Sequence, residues 1–379
     1  MKNRPSRINL AHYLNGSRLD NWLHLLWQNR FRIRRDKLPQ ALFITLMSVL
    51  TAPFALLEAL VMAIPLRVYR LRQDPVYILG AWRSGTTFLQ NTMSRDHQFG
   101  WANPINASLH PVCLSLGWLL KPLMNGVLRD ARPMDNLHYR VDLPMEDTFA
   151  LVTVSTWSII HMIAFPRQFQ RYFSGTFVDD LKPREIRRWK QIYGTIIKKI
   201  SLTQGGRLLL LKSPDNTGHL RQIMELFPRA RYINIYREPY VTIQSMIHMF
   251  HKQMERLCLT ELPEGDVEEL MEDYILRVYE RMYRELFAIE KTLPPERYIS
   301  VRYEDFTARP EYWLEKIYTQ LGLDGFQEAL PRFQAYLDSQ KDYQKNHFVL
   351  SDRLREKINA RMGFYFAHYG YTMQEEGEA

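Results

Sequence analysis

The chain has 379 residues, of which 46% are hydrophobic and 13% aromatic, and this composition excludes an intrinsically disordered protein. The formal net charge of +9 predicts an anionic partner such as a nucleotide, a nucleic acid or an anionic lipid surface, although an ordinary solvated basic surface gives the same sum. The only two cysteines, Cys113 and Cys258, exclude a disulfide framework or a paired-cysteine metal site and indicate a reducing compartment.

The N-terminal part is basic and aromatic and lacks the apolar run and cleavage site of a signal peptide. An apolar run over residues 41–65 follows, long enough to cross a bilayer but containing Pro53 and Glu58. A proline kinks a helix and a carboxylate is costly in hydrocarbon, so we expect two half-helices that break at Pro53 and lie on an anionic membrane surface. A true span, a core helix and an oligomer contact are the alternatives. Residues 1–70 are thus predicted to form a helical membrane-surface anchor ahead of one domain, 71–379.

Beyond residue 70, short apolar runs alternate with helical patterns. Buried strands are predicted over 75–80, 207–211, 231–236 and 298–306. Helices are predicted over 86–95, 218–227, 239–254, 267–292 and 310–321. The stretch 100–200 is expected to be mostly helical. This alternation predicts an α/β fold with a mainly parallel central sheet flanked by helices, and with ligands at the carboxyl ends of the strands.

The sharpest motif, Gly80-Ala-Trp-Arg-Ser-Gly-Thr-Thr87, directly follows the first predicted strand. Its glycines have the spacing of a nucleotide phosphate loop, but Thr86 stands where a kinase or an ATPase has its lysine. Metal-dependent hydrolysis of a nucleoside triphosphate is therefore not expected. The backbone N–H groups from Arg83 to Thr87 are predicted to bind an anion at the start of a helix, and Gly85 allows the ligand to approach closely.

Residues 77–90, YILGAWRSGTTFLQ, resemble the 5′-phosphosulfate loop of sulfotransferases that use 3′-phosphoadenosine 5′-phosphosulfate (PAPS). The resemblance continues over residues 208–246. There a strand, Lys-Ser-Pro, a helix ending in Phe-Pro, a second strand and Arg-x-Pro follow in order, and a serine stands eight residues after the arginine. The chain is therefore identified as similar to the PAPS-dependent sulfotransferases, whose P-loop-like fold agrees with the α/β pattern.

This resemblance implies PAPS as the co-substrate and assigns Arg237 and Ser245 to its 3′-phosphate. Lys212 is placed near the transferring group or the acceptor, with a purely structural lysine as the alternative. A basic segment near the C-terminus covers the nucleotide in this family, and residues 341–348 are the candidate here. The residues expected to bind the co-substrate are Arg83, Ser84, Gly85, Thr86, Thr87, Arg237, Ser245, Lys345 and Asn346. No cluster of histidine and cysteine ligands is visible, and no metal is expected.

Sulfuryl transfer is an in-line displacement, which needs positive charge at the leaving phosphate and a base for the acceptor proton. Arg83 and Lys212 are the candidates for the positive charge. The preferred candidate for the base is Glu146, followed by Asp147 and His110. These two carboxylates open an apolar stretch, where capping a helix is their ordinary role. The less favoured candidates for the base are His161 and His219.

The sequence as a whole predicts a cytoplasmic, membrane-associated sulfotransferase. Its acceptor is expected to carry a hydroxyl or an amine and to be a small molecule or a lipid, since the apolar run favours an amphipathic acceptor. Nucleic acid is not expected as a partner, and the oligomeric state is left open. The competing interpretations are a P-loop small-molecule kinase and an inactive membrane-surface scaffold with the same fold.

Overall fold

The structure is a computed structural model that describes residues 8–127, 140–341 and 350–375. Its helices, in chain order, are α1 (Leu19–Gln28), α2 (Leu38–Val68), α3 (Thr86–Met93), α4 (Pro104–Ser108), α5 (Gly117–Val127), α6 (Phe149–Val154), α7 (His161–Ala164), α8 (Pro183–Thr203), α9 (Asp215–Gly218), α10 (Leu220–Leu226), α11 (Pro239–Leu257), α12 (Val267–Glu290), α13 (Tyr303–Ala308), α14 (Pro310–Gln320), α15 (Phe326–Asp338) and α16 (Asp352–Tyr369).

The strands form a five-stranded parallel sheet in the order β2-β3-β1-β4-β5. Their bounds are β1 (Val76–Leu79), β2 (Phe99–Gly100), β3 (Leu208–Lys212), β4 (Arg231–Tyr236) and β5 (Tyr298–Arg302). Every residue of β1 is buried, as expected for a parallel strand that is covered on both faces. Ile78 pairs with Ile233, which pairs in turn with Ile299. The predicted α/β fold with a mainly parallel sheet is confirmed.

The chain divides into two compact units. The first consists of Met1–Asp74, Phe99–Leu211 and Lys252–Glu264. The second consists of Pro75–Gln98, Lys212–His251 and Gly265–Ala379. The phosphate-loop motif and the second family segment from Lys212 onward belong to the second unit, whereas the apolar N-terminal helix belongs to the first. The predicted boundary at residue 70 stays a prediction.

Two predicted segments each contain parts of two elements in the structure. The strand predicted over 298–306 ends at Arg302, where α13 begins, because Glu304 and Asp305 lie in the first turn of that helix and favour its positive end. The helix predicted over 218–227 is preceded by the short helix α9, and α10 then runs to Leu226. The expectation that residues 100–200 are mostly helical is confirmed for the described part of this range when α4 to α8 are counted together with the short 3-10 helices His110–Val112, Pro166–Gly175 and Val178–Asp180.

Helix α2 continues through Pro53, so the predicted break at this residue is wrong. A proline removes one backbone hydrogen bond but does not have to end a helix that is held on both sides. Before Pro53, the Ser48 hydroxyl donates to the Ser17 carbonyl at 2.8 Å, and the Trp22 ring N–H donates to the Thr45 hydroxyl at 2.9 Å. Tertiary contacts therefore override the local preference for a break.

After Pro53, the buried Glu58 fixes α2 to the rest of the first unit. One carboxylate oxygen lies 2.6 Å from the Lys199 ammonium, and the other accepts the backbone N–H groups of Leu114 at 3.1 Å and of Ser115 at 2.7 Å. Lys199 also donates to the His110 carbonyl at 3.2 Å. A charge that would be costly inside a bilayer is here fully paired within the protein.

Candidate functional site

The turn between β1 and α3 has a backbone that few residues other than glycine adopt. Gly80 has φ 133° and Gly85 has φ 101°. A Cβ atom at Gly80 would lie 2.3 Å from the Ile235 carbonyl oxygen, and one at Gly85 would lie 2.2 Å from Cδ2 of the Tyr303 ring. Both glycines are therefore required for this close packing. We call residues 80–87 the phosphate loop.

Side-chain hydroxyl groups form hydrogen bonds with the backbone of the phosphate loop. The Thr217 hydroxyl accepts the Gly80 N–H at 2.9 Å, and the Ser84 hydroxyl donates to the Ala81 carbonyl at 2.8 Å. The N-cap of α3 is Gly85, which has no side chain to cap the first turn, and the helix begins at Thr86. The first N–H groups of a helix have no intrahelical acceptor, and the helix dipole adds positive potential there. This end of the loop is suited to an anion.

Arg83 has a positive φ of 70°, which is uncommon for a residue with a side chain. Its guanidinium Nε donates to the Ser245 hydroxyl at 2.9 Å. Ser245 is buried in α11, which follows β4. Two residues that the sequence assigns to opposite ends of a nucleotide are thus in direct contact.

Arg237 directly follows β4 and lies beside the same loop. Its Nη1 is 3.5 Å from the Arg83 carbonyl oxygen, and its guanidinium carbon lies 4.4 Å from the centre of the Tyr303 ring. Stacking on an aromatic face orients the planar guanidinium. The neighbouring Glu238 accepts the N–H group of Val241 at 2.8 Å and so caps α11, rather than serving as a simple ion-pair partner of Arg237.

Lys212, the last residue of β3, is buried, and its ammonium donates to the Thr87 hydroxyl at 3.2 Å. The phosphate loop, Lys212, Arg237 and Ser245 therefore meet at the carboxyl ends of the strands. This is the edge of a parallel sheet where ligands bind. Three cations around an uncapped helix N-terminus fit a ligand with more than one anionic group.

The two carboxylate candidates for the base lie in the first unit, just before α6. Asp147 is fully buried and accepts the Tyr193 hydroxyl at 2.8 Å. Glu146 is half-buried, and its carbonyl accepts the N–H of Phe149 at 3.3 Å. The N-cap of α6 is Thr148, the residue that directly follows Asp147. Asp147 is thus engaged in the interior, and Glu146 is the more accessible of the two.

The three histidine candidates are all buried. Burial, together with the nearby Lys199 charge, holds the pKa of His110 well below its usual value. Burial lowers the pKa of His161 to about 4, and its Nε2–H donates to the Ser155 carbonyl at 2.9 Å. His219 lies at the start of α10 in the second unit. Buried side chains of this kind are poorly placed to meet an acceptor from solvent.

Lys345 and Asn346 lie outside the described residues, and their assignment to the nucleotide stays a prediction. Within the described ranges, no group of three or more histidine, cysteine, aspartate or glutamate side chains could hold a metal ion.

Several aromatic residues of the site were missed by the sequence interpretation. Tyr303 follows β5, and its position at a strand end was a usable signal. Tyr279 and Tyr283 reach the loop from α12, where the Tyr279 hydroxyl donates to the Trp82 carbonyl at 2.5 Å. A tyrosine on the buried face of a long helix carries no local signal for such a contact.

The family model for the sulfotransferase family matches residues 75–328. The chain therefore belongs to the sulfotransferase family and is a sulfotransferase, and membership in this family implies PAPS as the sulfate donor. The comparisons give no support to a small-molecule kinase or to an inactive scaffold.

Curated relatives and solved structures agree with this assignment. The chain is 28% identical over 356 residues to the omega-hydroxy-beta-dihydromenaquinone-9 sulfotransferase Stf3 of Mycobacterium bovis and to that of Mycobacterium tuberculosis, covering 94% of this chain and 90% of the relative. The crystal structure of sulfotransferase STF9 from Mycobacterium avium matches with a TM-score of 0.65 and 16% identity over 98% of this chain and all of that chain. STF1 from Mycobacterium tuberculosis matches with a TM-score of 0.60 and 15% identity over 91% and 94% of the two chains.

Proposed function

We propose that this protein transfers the sulfuryl group of PAPS to a hydroxyl group of a lipid-like acceptor at a membrane surface. The observation that carries the proposal is the contact between Arg83 and Ser245, with Arg237 beside both. It supports a cleft in which the phosphate loop binds the 5′-phosphosulfate and a second pocket binds the 3′-phosphate of the same nucleotide.

On the 5′ side, the N–H groups at the start of α3 and the hydroxyls of Thr86 and Thr87 would hold the phosphosulfate oxygens. Lys212, which donates to Thr87, would stabilise the charge that develops on the bridging oxygen. On the 3′ side, Arg237 offers a forked donor and Ser245 a hydroxyl. Arg83 lies between the two pockets and contributes charge to the reacting end.

In the reaction, an S–O bond forms between the acceptor oxygen and the sulfur, and the bond from sulfur to the bridging oxygen of the donor breaks. The electron pair of that bond stays with the phosphate, which leaves as adenosine 3′,5′-bisphosphate. The acceptor proton passes to the base. We assign this role to Glu146, because Asp147 is buried and already accepts the Tyr193 hydroxyl.

The acceptor is proposed from the relatives and from the surface of α2. The name of the mycobacterial relative specifies a hydroxylated menaquinone, and this relative aligns with 94% of the chain. Such an acceptor is apolar over most of its length and resides in a membrane. A hydroxyl group on a long apolar molecule is therefore the acceptor class that we propose for this protein.

Helix α2 presents the surface that such an acceptor requires. The segment Arg35–Val68 is the one stretch within the described ranges that is long and apolar enough to span a membrane, and only 17% of its most apolar window is buried. Large apolar side chains on its outer face are strongly exposed: Leu42, Leu46, Leu50, Leu57, Leu60 and Ile64.

The opposite face of α2 is attached to the first unit along its length. Ile44, Ser48, Ala55 and Glu58 are buried on this face. A helix attached in this way and flanked by exposed Arg35 and Arg67 fits the interface plane of an anionic bilayer better than a span across it.

An assay of sulfuryl transfer tests the proposed function. Purified protein is incubated with 35S-labelled PAPS and with vesicles made from a bacterial lipid extract, and the lipid fraction is resolved by mass spectrometry. We expect a lipid that gains label and the mass of one sulfo group. Label that appears only in water-soluble acceptors would contradict the lipid proposal. Binding of PAPS without transfer to any acceptor would contradict the proposed transfer activity.

A further inference from the structure

Two buried tyrosines lie between the phosphate loop and Arg237. Tyr283 belongs to α12 and Tyr365 to α16, and both side chains are inaccessible to solvent. The Ala81 N–H donates to the Tyr283 hydroxyl at 3.3 Å. The Tyr365 hydroxyl donates to the Arg237 carbonyl at 2.7 Å and accepts the Arg237 N–H at 3.3 Å. Each tyrosine thus binds the backbone of one predicted anion pocket.

The rings of Tyr283 and Tyr365 meet edge to face, with their centres 4.6 Å apart. At one end of this pair, the Tyr283 hydroxyl accepts the Ala81 N–H, and at the other end the Tyr365 hydroxyl donates to the Arg237 carbonyl. Two hydrogen bonds and the ring contact between them therefore join the start of the loop to the backbone of Arg237.

We propose that Tyr283 and Tyr365 are positioning residues that fix the distance between the loop at Ala81 and the arginine at 237. This inference rests on the proposed function, because it assumes one ligand with an anionic group at each end. Such a ligand gains binding free energy from both pockets only when the distance between the pockets matches the distance between its two anionic groups. A separation fixed before binding avoids the entropic cost of ordering the site around the ligand.

Two further observations support a positioning role rather than packing alone. The loop contains the uncommon backbone conformation of Arg83, which persists only where the surroundings hold it in place. Burial raises the pKa of Tyr283 to about 12 and also raises the pKa of Tyr365, so both hydroxyls stay protonated at neutral pH.

The test removes one hydroxyl at a time and keeps the ring. Binding of adenosine 3′,5′-bisphosphate and of 5′-AMP is measured by titration calorimetry for wild type, Tyr283→Phe and Tyr365→Phe. We expect each variant to bind the bisphosphate about tenfold more weakly, the size of effect that loss of a buried hydrogen bond produces, and 5′-AMP less than about threefold more weakly. The double variant is expected to lose little more than either single one, because either change detaches one of the two pockets from the tyrosine pair.

The matched control is Tyr318→Phe, which also removes a buried tyrosine hydroxyl, in this case one that donates to Asp96 at 2.7 Å. It is expected to leave both affinities unchanged. If wild type binds the bisphosphate tightly and both variants retain that affinity, or weaken equally for both ligands, the positioning role is wrong while the proposed function stands. If wild type does not prefer the bisphosphate over 5′-AMP, the proposed function itself fails.

Discussion

At the scale of single residues, Arg83 combines an uncommon backbone with a functional side chain. Its positive φ costs about 1–3 kcal/mol, and its guanidinium is directed to Ser245. The sequence predicted Arg83, Arg237 and Ser245 as site residues because each stands at a fixed place in a recognisable motif. It did not predict Tyr303, whose ring packs on Gly85 and under Arg237, because no motif includes it.

The role of Glu146 as the base gives a direct prediction. Glu146→Gln keeps the size of the side chain and removes the group that takes the acceptor proton. We expect turnover to fall by a factor on the order of 10² or more, while the affinity for adenosine 3′,5′-bisphosphate is unchanged. Steady-state kinetics and calorimetry on the same preparation measure the two quantities.

Asp147→Asn is the matched comparison. Asp147 accepts the buried Tyr193 hydroxyl, so this change is expected to lower stability more than it lowers turnover per folded molecule. Near-normal turnover in Glu146→Gln, together with a large loss of turnover in Asp147→Asn, would assign the role of general base to Asp147 instead.

At the scale of secondary-structure elements, local rules predicted which segments form helices and strands better than they predicted where these end. β4 and the start of α11 coincide with their predicted positions, since apolar runs and a proline mark them. Helix α2 does not break at Pro53, because contacts from residues distant in sequence hold it on both sides. Such contacts are not visible in a local pattern.

The Glu58–Lys199 pair predicts a large effect on stability. Glu58→Gln leaves a buried ammonium without its partner charge, so we expect the free energy of unfolding to fall by about 3–5 kcal/mol. Replacing both residues with apolar side chains, in Glu58→Leu with Lys199→Met, is expected to recover part of this loss. Urea unfolding measures each difference.

The control for this prediction is an exposed ion pair. Asp338→Asn removes the partner of Lys341 on the surface of the second unit and is expected to change stability little. Equal small effects in Glu58→Gln and Asp338→Asn would show that the buried pair does not hold α2 in place.

The outer face of α2 gives a prediction for membrane binding. Leu57 and Leu60 are exposed, and placing them in the interfacial region of a bilayer would remove their side chains from water. The double change Leu57→Asp and Leu60→Asp is expected to weaken sedimentation with anionic vesicles by at least about tenfold. Transfer to a short, water-soluble acceptor is expected to stay unchanged.

Leu262→Asp, at an exposed leucine of the first unit outside α2, serves as the control and is expected to retain vesicle binding. Vesicle binding that is unaffected by the charges on α2, or equally reduced in the control, would mean that this helix face does not contact the membrane.

At the scale of the whole molecule, the sequence predicted the fold class, because strands and helices alternate in a way that only a parallel α/β sheet accommodates. It did not predict how the chain is shared between the two units. The second unit consists of Pro75–Gln98, Lys212–His251 and the residues after Glu264. These segments are far apart in sequence. Their association depends on the packing of buried side chains, which composition and periodicity do not specify.

Buried histidines predict how stability depends on pH. Burial lowers the pKa of both His12 and His161 to about 4, so both are neutral in the folded protein at neutral pH. The unfolded chain binds a proton at each near pH 6.5, and it therefore holds more protons than the folded chain between pH 6.5 and about 4. Stability is expected to fall as the pH drops through this window, by up to about 3 kcal/mol for each histidine.

His161→Gln retains a donor for the Ser155 carbonyl and cannot take up a proton. Urea unfolding at pH 7 and pH 4.5 should show a loss of stability that is smaller in this variant than in wild type by about 2 kcal/mol. An identical loss in the two proteins would exclude His161 as a source of the pH dependence.

The proposal that two anion pockets bind the two ends of one nucleotide is tested most directly at Arg237. Titration calorimetry compares wild type with Arg237→Ala for adenosine 3′,5′-bisphosphate and for 5′-AMP. We expect the variant to lose at least about tenfold in affinity for the bisphosphate, the size of a charge-assisted hydrogen bond to phosphate, and little for 5′-AMP, which has no 3′-phosphate. Equal weakening for both nucleotides would contradict a 3′-phosphate pocket at Arg237.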